Sequence, residues 1–298
     1  MTSPDLLGTR AIDAAQLAHL QSWLGRTETQ TDVIAPAPVR GLAATLDRDD
    51  DEPAPGTALP PLWHWAYFLP HARQSEIGPD GHARRGGFLP PVPLPRRMWA
   101  GGRFHWELAN PLRVGETVQR RSRIASVTHK AGRTGDLLFV QVEHRYSNER
   151  GVALTEAHDI VYRAAPRPGD PVPPPTPAGQ DAAWQREVVP DDVLLFRYSA
   201  LTFNGHRIHY DRPYVTEVEG YPGLVVHGPL IATLLLDLLR RQMPDAAVAR
   251  FEFKAVRPTF DLHPFRLHGE PAADGRGVRL WASDHEGWLT MQSTATLA

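Results

Sequence analysis

The chain has 298 residues, enough for one large domain or two of ordinary size, and 42% of them are hydrophobic, enough for a sizeable core. A formal net charge of −2 gives no basic bias, which argues against nucleic acid as a partner. Cysteine is absent, so disulfides, thiolate metal sites and a cysteine nucleophile are excluded. No apolar run approaches the ~20 residues that span a bilayer. The first residues, Met-Thr-Ser-Pro-Asp-Leu-Leu-Gly-Thr-Arg, lack a basic region followed by an apolar one. The expectation is a cytoplasmic protein that binds no nucleic acid and enters no membrane.

In chain order, Ile12, Leu17, Leu20, Trp23 and Leu24 fall mostly on one face and predict a helix over 11–24. A second short helix is expected over 39–46. The run Asp47 to Glu52, followed by Pro-Ala-Pro-Gly, reads as a solvated loop. Residues 63–99 are too aromatic for a disordered linker and read as a long ordered loop over the body. The cluster Trp63, Trp65, Tyr67 and Phe68 within it reads as core.

From Arg103 the pattern turns to strands. Leu138, Val140, Val142, His144 and Tyr146 alternate with Phe139, Gln141, Glu143 and Arg145, and a strand follows over 152–163. The proline-dense stretch that follows suits a stiff extended connector. It divides the chain into a first domain (1–165), a linker (166–180) and a second domain (181–298). In the second domain a helix is expected over 230–241, its apolar face carrying Leu234, Leu235, Leu238 and Leu239 and Pro244 ending it. Strands are expected over 251–257, 267–270, 278–283 and 289–297. Phe104-His-Trp-Glu-Leu-Ala-Asn-Pro111 and Phe251-Glu-Phe-Lys-Ala-Val-Arg-Pro258 echo each other, which hints at a duplicated α+β unit.

The densest chemistry lies in Leu201-Thr-Phe-Asn-Gly-His-Arg-Ile-His-Tyr-Asp211, with Pro222-Gly-Leu-Val-Val-His-Gly-Pro-Leu230 shortly after it. The first segment can supply proton transfer. The second breaks an apolar strand at His-Gly-Pro before a helix, whose N-terminus offers N–H donors to a developing oxyanion. That combination suits acid/base chemistry on a carbonyl compound.

These two segments resemble the MaoC-like, R-specific enoyl-thioester hydratases of hot-dog fold. Within that family the likeness is greatest to the group of mesaconyl-C4-CoA hydratases and mitochondrial-type 3-hydroxyacyl-thioester dehydratases. Pro61-Leu-Trp-His-Trp65, Gly78-Pro-Asp-Gly-His82 and Gly87-Phe-Leu-Pro-Pro-Val-Pro-Leu-Pro-Arg-Arg-Met-Trp-Ala-Gly-Gly102 extend it across the first half. The resemblance implies a double hot dog: two antiparallel sheets, each wrapping a central helix, paired as a pseudo-dimer with the site built mainly by the second unit. It also implies an acyl-CoA or acyl-carrier thioester substrate, no cofactor and no metal, and a monomer or homodimer. Family members carry an Asp and a His five residues apart. Here those positions are Asn204 and His209, so an amide stands where the family has its carboxylate. His206 likewise replaces a family Asn.

On that resemblance His209 is the expected base that activates water. Asn204 is expected to hold the water or the thioester carbonyl, or else to serve only the turn before Gly205. His206 is a second proton carrier or a packing residue. Gly228, with Pro229 in the first helical turn, is the expected oxyanion donor. His227 faces the pocket or packs, and Asp211 orients a histidine, contacts substrate or caps backbone. Arg84, Arg85, Arg96 and Arg97 are candidates for CoA phosphates or a free acyl carboxylate, with about half expected to form internal pairs. Two other readings remain at this point: a hot-dog thioesterase, and a non-catalytic acyl-CoA-binding protein that Asn204 keeps open.

Overall fold

The computed structural model describes residues 11–132, 135–165 and 173–298. The first half holds α1 (Ala14–Gln21), β1 (Thr27–Val33), α2 (Pro36–Thr45), β2 (Arg96–Trp106), β3 (Thr117–Gly132), β4 (Gly135–Asn148) and β5 (Gly151–Arg163). The second holds β6 (Trp184–Val188), α3 (Asp192–Leu201), α4 (Gly228–Gln242), β7 (Val248–Ala255), β8 (Phe265–Pro271), β9 (Gly277–Ser283) and β10 (Leu289–Leu297).

The strands form one ten-stranded antiparallel sheet in the order β1-β3-β4-β5-β2-β7-β10-β9-β8-β6. Each half contributes five strands in the same internal order, and β2 joins β7 at the seam. Phe104 lies opposite Phe251 in that seam, so the two residues that open the sequence echo pair with each other. Equivalent residues meet in this way only on a pseudo-two-fold axis. Gly101 permits the close approach, because a Cβ there would stand 2.6 Å from the Phe253 carbonyl oxygen.

The double hot dog expected from the resemblance is present, with its two sheets fused into one. Its halves are covered differently. In the second half, α4 starts with Pro229 in its first turn, buries every residue from Leu230 to Leu239, and lies on β6, β8, β9 and β10. In the first half, α2 packs on α3 instead. The one-turn 3₁₀ helix Trp63–Ala66 covers the first half's inner face through the rings of His64 and Trp65, which meet Phe104 and Tyr146. Trp63, Tyr67 and Phe68 are core, as their composition suggested.

Several expectations need correction. The first helix is shorter than 11–24, since Asp13 closes a capping box with Gln16 and so fixes its start. The second begins earlier, at Pro36, a residue suited to a first helical turn. The edge strands β1 and β6 and the helix α3 were not foreseen as elements. Both edge strands are polar and half-exposed along their length, so they lack an apolar alternation. The 47–52 stretch is not simply solvated. Arg48 reaches the buried Asp237 of α4 at 2.6 Å, where Arg186 and Arg241 also bind at 2.6 and 2.8 Å. This cluster ties the loop to the second half's helix. Of the 166–180 linker, residues 166–172 lie outside the described part of the chain.

Candidate active site

Helix α3 delivers the histidine segment. Asp191 caps its start by accepting the Leu194 N–H at 2.8 Å, and the chain leaves the helix at Thr202. The Asn204 N–H donates to the Ser199 carbonyl at 2.8 Å, and its Oδ1 accepts the His206 N–H at 3.0 Å. Its side-chain oxygen is therefore a turn acceptor, and only the amide NH2 is left for a ligand. A 3₁₀ turn over Arg207–His209 then turns His209 inward.

His209 is buried, and its Nδ1–H donates to the Val225 carbonyl at 2.6 Å. That bond fixes the tautomer, so the lone pair is on Nε2, which has no partner among the described residues. The ring stacks on His227 at 3.7 Å. His227 is the residue immediately before α4, so His209 lies beside that helix's N-terminus. Behind it, His227 Nε2 is bound to the Ser199 hydroxyl at 2.8 Å, and the residue is fully buried. His227 is thus packed between His209 and Ser199, the second of the two placements left open for it.

The Gly228 N–H has no acceptor among the described residues. A Cβ built on Gly228 would meet Met291 Cε at 3.9 Å, an ordinary van der Waals contact, so the backbone here is not crowded. Pro229 has no N–H, which leaves Gly228 as the natural donor at a positive helix end.

The first half supplies what the motif lacks. His206 meets His209 edge-on at 5.4 Å and His82 at 4.1 Å between ring centroids. His82 Nδ1–H donates to the Asp80 carboxylate at 3.1 Å. The chain His209–His206–His82–Asp80 therefore ends on a carboxylate from a loop more than a hundred residues upstream. Backbone contact docks that loop. Arg207 N–H donates to the Asp80 carbonyl at 2.9 Å, and Arg207 Nη1 to the Pro79 carbonyl at 3.0 Å. Gly81 has φ +89°, and a Cβ there would fall 1.8 Å from the Gly205 carbonyl oxygen. No other residue type fits. Sequence reasoning missed Asp80 and His82 as site residues. The available signal was Gly78-Pro-Asp-Gly-His82, a turn sequence carrying two titratable groups.

Burial governs the electrostatics. It pushes His209 down to about 4, against the opposing hydrogen bond from Val225. His206 is held far below its usual value by burial and by His82 and His209. Burial also lowers His82, aided by the charge of Arg97 and opposed by Asp80. Burial alone would raise Asp80, but the hydrogen bond and charge of His82 outweigh it and hold the carboxyl well below its usual range. Near pH 7 the site is three neutral imidazoles backed by one carboxylate. Asp80, His82 and His206 bring three possible metal-ligand atoms within 4.8 Å of one another. Among the described residues His82 Nδ1–H to Asp80 is the one hydrogen bond along this path, and the three histidines meet one another by ring contact.

The remaining candidates separate clearly. Asp211 binds Arg207 at 2.7 Å and accepts the Tyr214 N–H at 3.1 Å, so its carboxylate is engaged in capping local backbone. Arg84 is exposed. Arg85 spends its guanidinium on the carbonyls of Val92, Leu94 and Pro95, each at 2.5 Å. Arg96 and Arg97 lie on strand β2, beyond the loop to which the sequence assigned them. Arg96 pairs with Glu219 at 3.4 Å and lies over the Tyr221 ring. Arg97 is half-buried and makes no salt bridge among the described residues.

The model of the hydroxyacyl-thioester dehydratase type 2 family matches residues 62–261 of the chain. The chain belongs to that family. It is 47% identical to the mesaconyl-C(4)-CoA hydratase of Chloroflexus aurantiacus, over 94% of this chain and 98% of that protein. It is 28% identical to the mitochondrial hydroxyacyl-thioester dehydratase type 2 of Schizosaccharomyces pombe, over 79% of this chain and 87% of that one. Among solved structures, a MaoC-like dehydratase superposes with a TM-score of 0.70 at 15% identity, covering 93% of this chain and 99% of the other. A Mycobacterium tuberculosis protein described as having a double hot-dog fold superposes with a TM-score of 0.56 at 15% identity, covering 92% and 96%. These two likenesses bear on the fold. The family makes the protein a carbon–oxygen lyase that adds or removes water at an acyl thioester, with an acyl thioester as its substrate.

Proposed function

We propose that the protein hydrates a short dicarboxylic enoyl-CoA of the mesaconyl-C4-CoA type, across C2–C3, in the cytoplasm. The observation that carries the mechanism is the fixed tautomer of His209: Nδ1–H bonded to Val225, and Nε2 without a partner among the described residues, on a ring stacked against the residue that precedes α4. The 47% identity to a mesaconyl-C(4)-CoA hydratase supports the substrate.

His209 Nε2 takes a proton from water as the oxygen attacks Cβ. The C=C electron pair moves toward the thioester carbonyl, and the enolate oxygen is held by Gly228 N–H at the positive end of α4. The imidazolium then returns its proton to Cα, so the elements of water are added and His209 is neutral again. Asp80 acts through His82 and His206, offsetting the positive charge that exists between the two proton transfers. It stands in for the carboxylate absent at Asn204. Asn204 holds the turn and leaves its NH2 for the water or carbonyl. No group beyond the thioester enters the scheme. No helix among the described residues is long and apolar enough to cross a membrane.

The purified protein, given mesaconyl-C4-CoA or crotonyl-CoA, is expected to consume enoyl absorbance without releasing thiol. Thiol release would mean a thioesterase, and no change with either would mean a binding protein. Asp80→Asn is expected to lower kcat ~10- to 100-fold with little change in KM, the scale of a lost proton-transfer partner. An unchanged kcat would remove Asp80 from the mechanism.

A further inference from the structure

The hydratase reading leaves open how the pocket tells a dicarboxylic acyl group from an alkyl one. We propose that Arg97 binds a carboxylate carried on the β-carbon of the enoyl thioester and thereby sets the preference for dicarboxylic substrates. This rests on the hydratase reading of the same site.

The strand register places Arg97. It lies opposite Tyr162 on β5, and Trp99 lies opposite Ile160, so both point to the inner face that also carries His158 and Glu156. Trp99 stacks on His158 at 3.8 Å and meets Trp65 at 5.0 Å, closing that face with aromatic rings. In the other direction the Arg97 charge bears on His82 and His206, the histidines that back the proposed base. Geometry agrees: Arg85, three residues after His82, lies over the Tyr162 ring at 5.5 Å, so Tyr162 and the Arg97 opposite it border the loop that carries His82.

Among the described residues no carboxylate lies within salt-bridge reach of Arg97, whose neighbour across the strands is the Tyr162 hydroxyl. A half-buried cation without an anion is costly unless water or a ligand completes it. The acidic groups nearby are committed. Asp80 is bound to His82. Glu156 accepts from Trp65 at 3.2 Å, Tyr146 at 2.8 Å and His64 at 3.1 Å. The planar fork of an arginine matches the two oxygens of a carboxylate. A carboxylate on the β-carbon is one bond from the atom that receives water, so its receptor must lie beside the histidine chain, where Arg97 is.

The chemistry beyond Arg97 agrees. The inner face there carries His158, His144, Glu156 and Tyr146. Burial pushes His144 to about 4 and His158 to about 3. Glu156, Tyr146 and His144 are tied to protein partners there, so this face is a fixed polar wall and not an apolar channel for a long alkyl tail. A short acyl group ending in a carboxylate needs no such channel.

The test compares wild type, Arg97→Gln and Arg97→Lys by steady-state kinetics on mesaconyl-C4-CoA and crotonyl-CoA, with melting temperatures recorded alongside. Wild type is expected to favour mesaconyl-C4-CoA. Arg97→Gln is expected to lower kcat/KM for it by at least ~100-fold, mostly through KM, while crotonyl-CoA changes less than ~3-fold. Arg97→Lys, which keeps charge but loses the fork, is expected to fall between. Equal losses on both substrates, or an unchanged ratio, would overturn the proposal. If wild type hydrates crotonyl-CoA but not mesaconyl-C4-CoA, the arginine assignment fails and the hydratase reading stands. If it hydrates neither, the hydratase reading itself fails.

Discussion

The two halves share one strand order and differ in what covers the sheet. The second half buries the apolar face of α4 and leaves that helix's first amide without an acceptor among the described residues. The first half covers its sheet with an aromatic turn and buries a carboxylate, Glu156, among three donors. In the proposed mechanism the N-terminus of α4 supplies the electrophilic end of the site, and the first half, whose own helices are the short α1 and α2, supplies Asp80 and His82, so the two units divide one chemical task.

That division can be broken experimentally. His209→Ala is expected to have the largest effect, at least ~100-fold on kcat with an unchanged melting temperature. A mild effect would move the base elsewhere. Gly81→Ala should cost about 100-fold in kcat, the scale of misplacing a catalytic group by an ångström. Its Cβ cannot coexist with the Gly205 carbonyl, so the first-half loop must lift off. Activity at the wild-type level would show that the second half works alone.

Acid should separate folding from chemistry. His209, His144 and His158 are buried neutral, with folded values of about 4, 4 and 3. Above pH ~6.5 they are neutral in both folded and unfolded chains and contribute no pH dependence. As pH falls below that, the unfolded chain takes up protons first, so stability is lost progressively down to their folded values. Asp80 works in the same direction, since its depressed carboxyl contributes above its unfolded value of ~3.9 and loses that contribution as pH falls further. A melting temperature that is flat between pH 6.5 and 4 would contradict this burial. The smallest effect is expected from Asp211→Asn, within ~3-fold in kcat/KM, because its partners are Arg207 and backbone. A hundredfold loss would return Asp211 to the substrate.

The sequence made the second-half site legible because its groups are contiguous. His206 and His209 sit on one short segment, and the Gly-Pro after His227 marks a helix start. The carboxylate was invisible for the opposite reason. Asp80 and His82 reach the site through the close approach of Gly81 to Gly205 and the bonds of Arg207 to the Asp80 and Pro79 carbonyls, and no local pattern encodes contacts between halves. The role of His227 could not be read either, since stacking behind a catalytic ring and lining a pocket place the same residue at the same spacing. Among the arginines, sequence offered four candidates, and only their partners in the structure distinguish Arg97 from Arg85 and Arg96.

The seam between β2 and β7 has a further consequence for association. It consumes one open edge from each unit, so the sheet ends only at β1 and β6. Those two strands, Thr-Glu-Thr-Gln-Thr-Asp-Val and Trp-Gln-Arg-Glu-Val, are charged and half-exposed, poor templates for adding another strand. Growth of the sheet by edge-to-edge stacking is therefore discouraged at both ends, and a second copy of the chain would have to approach across a face.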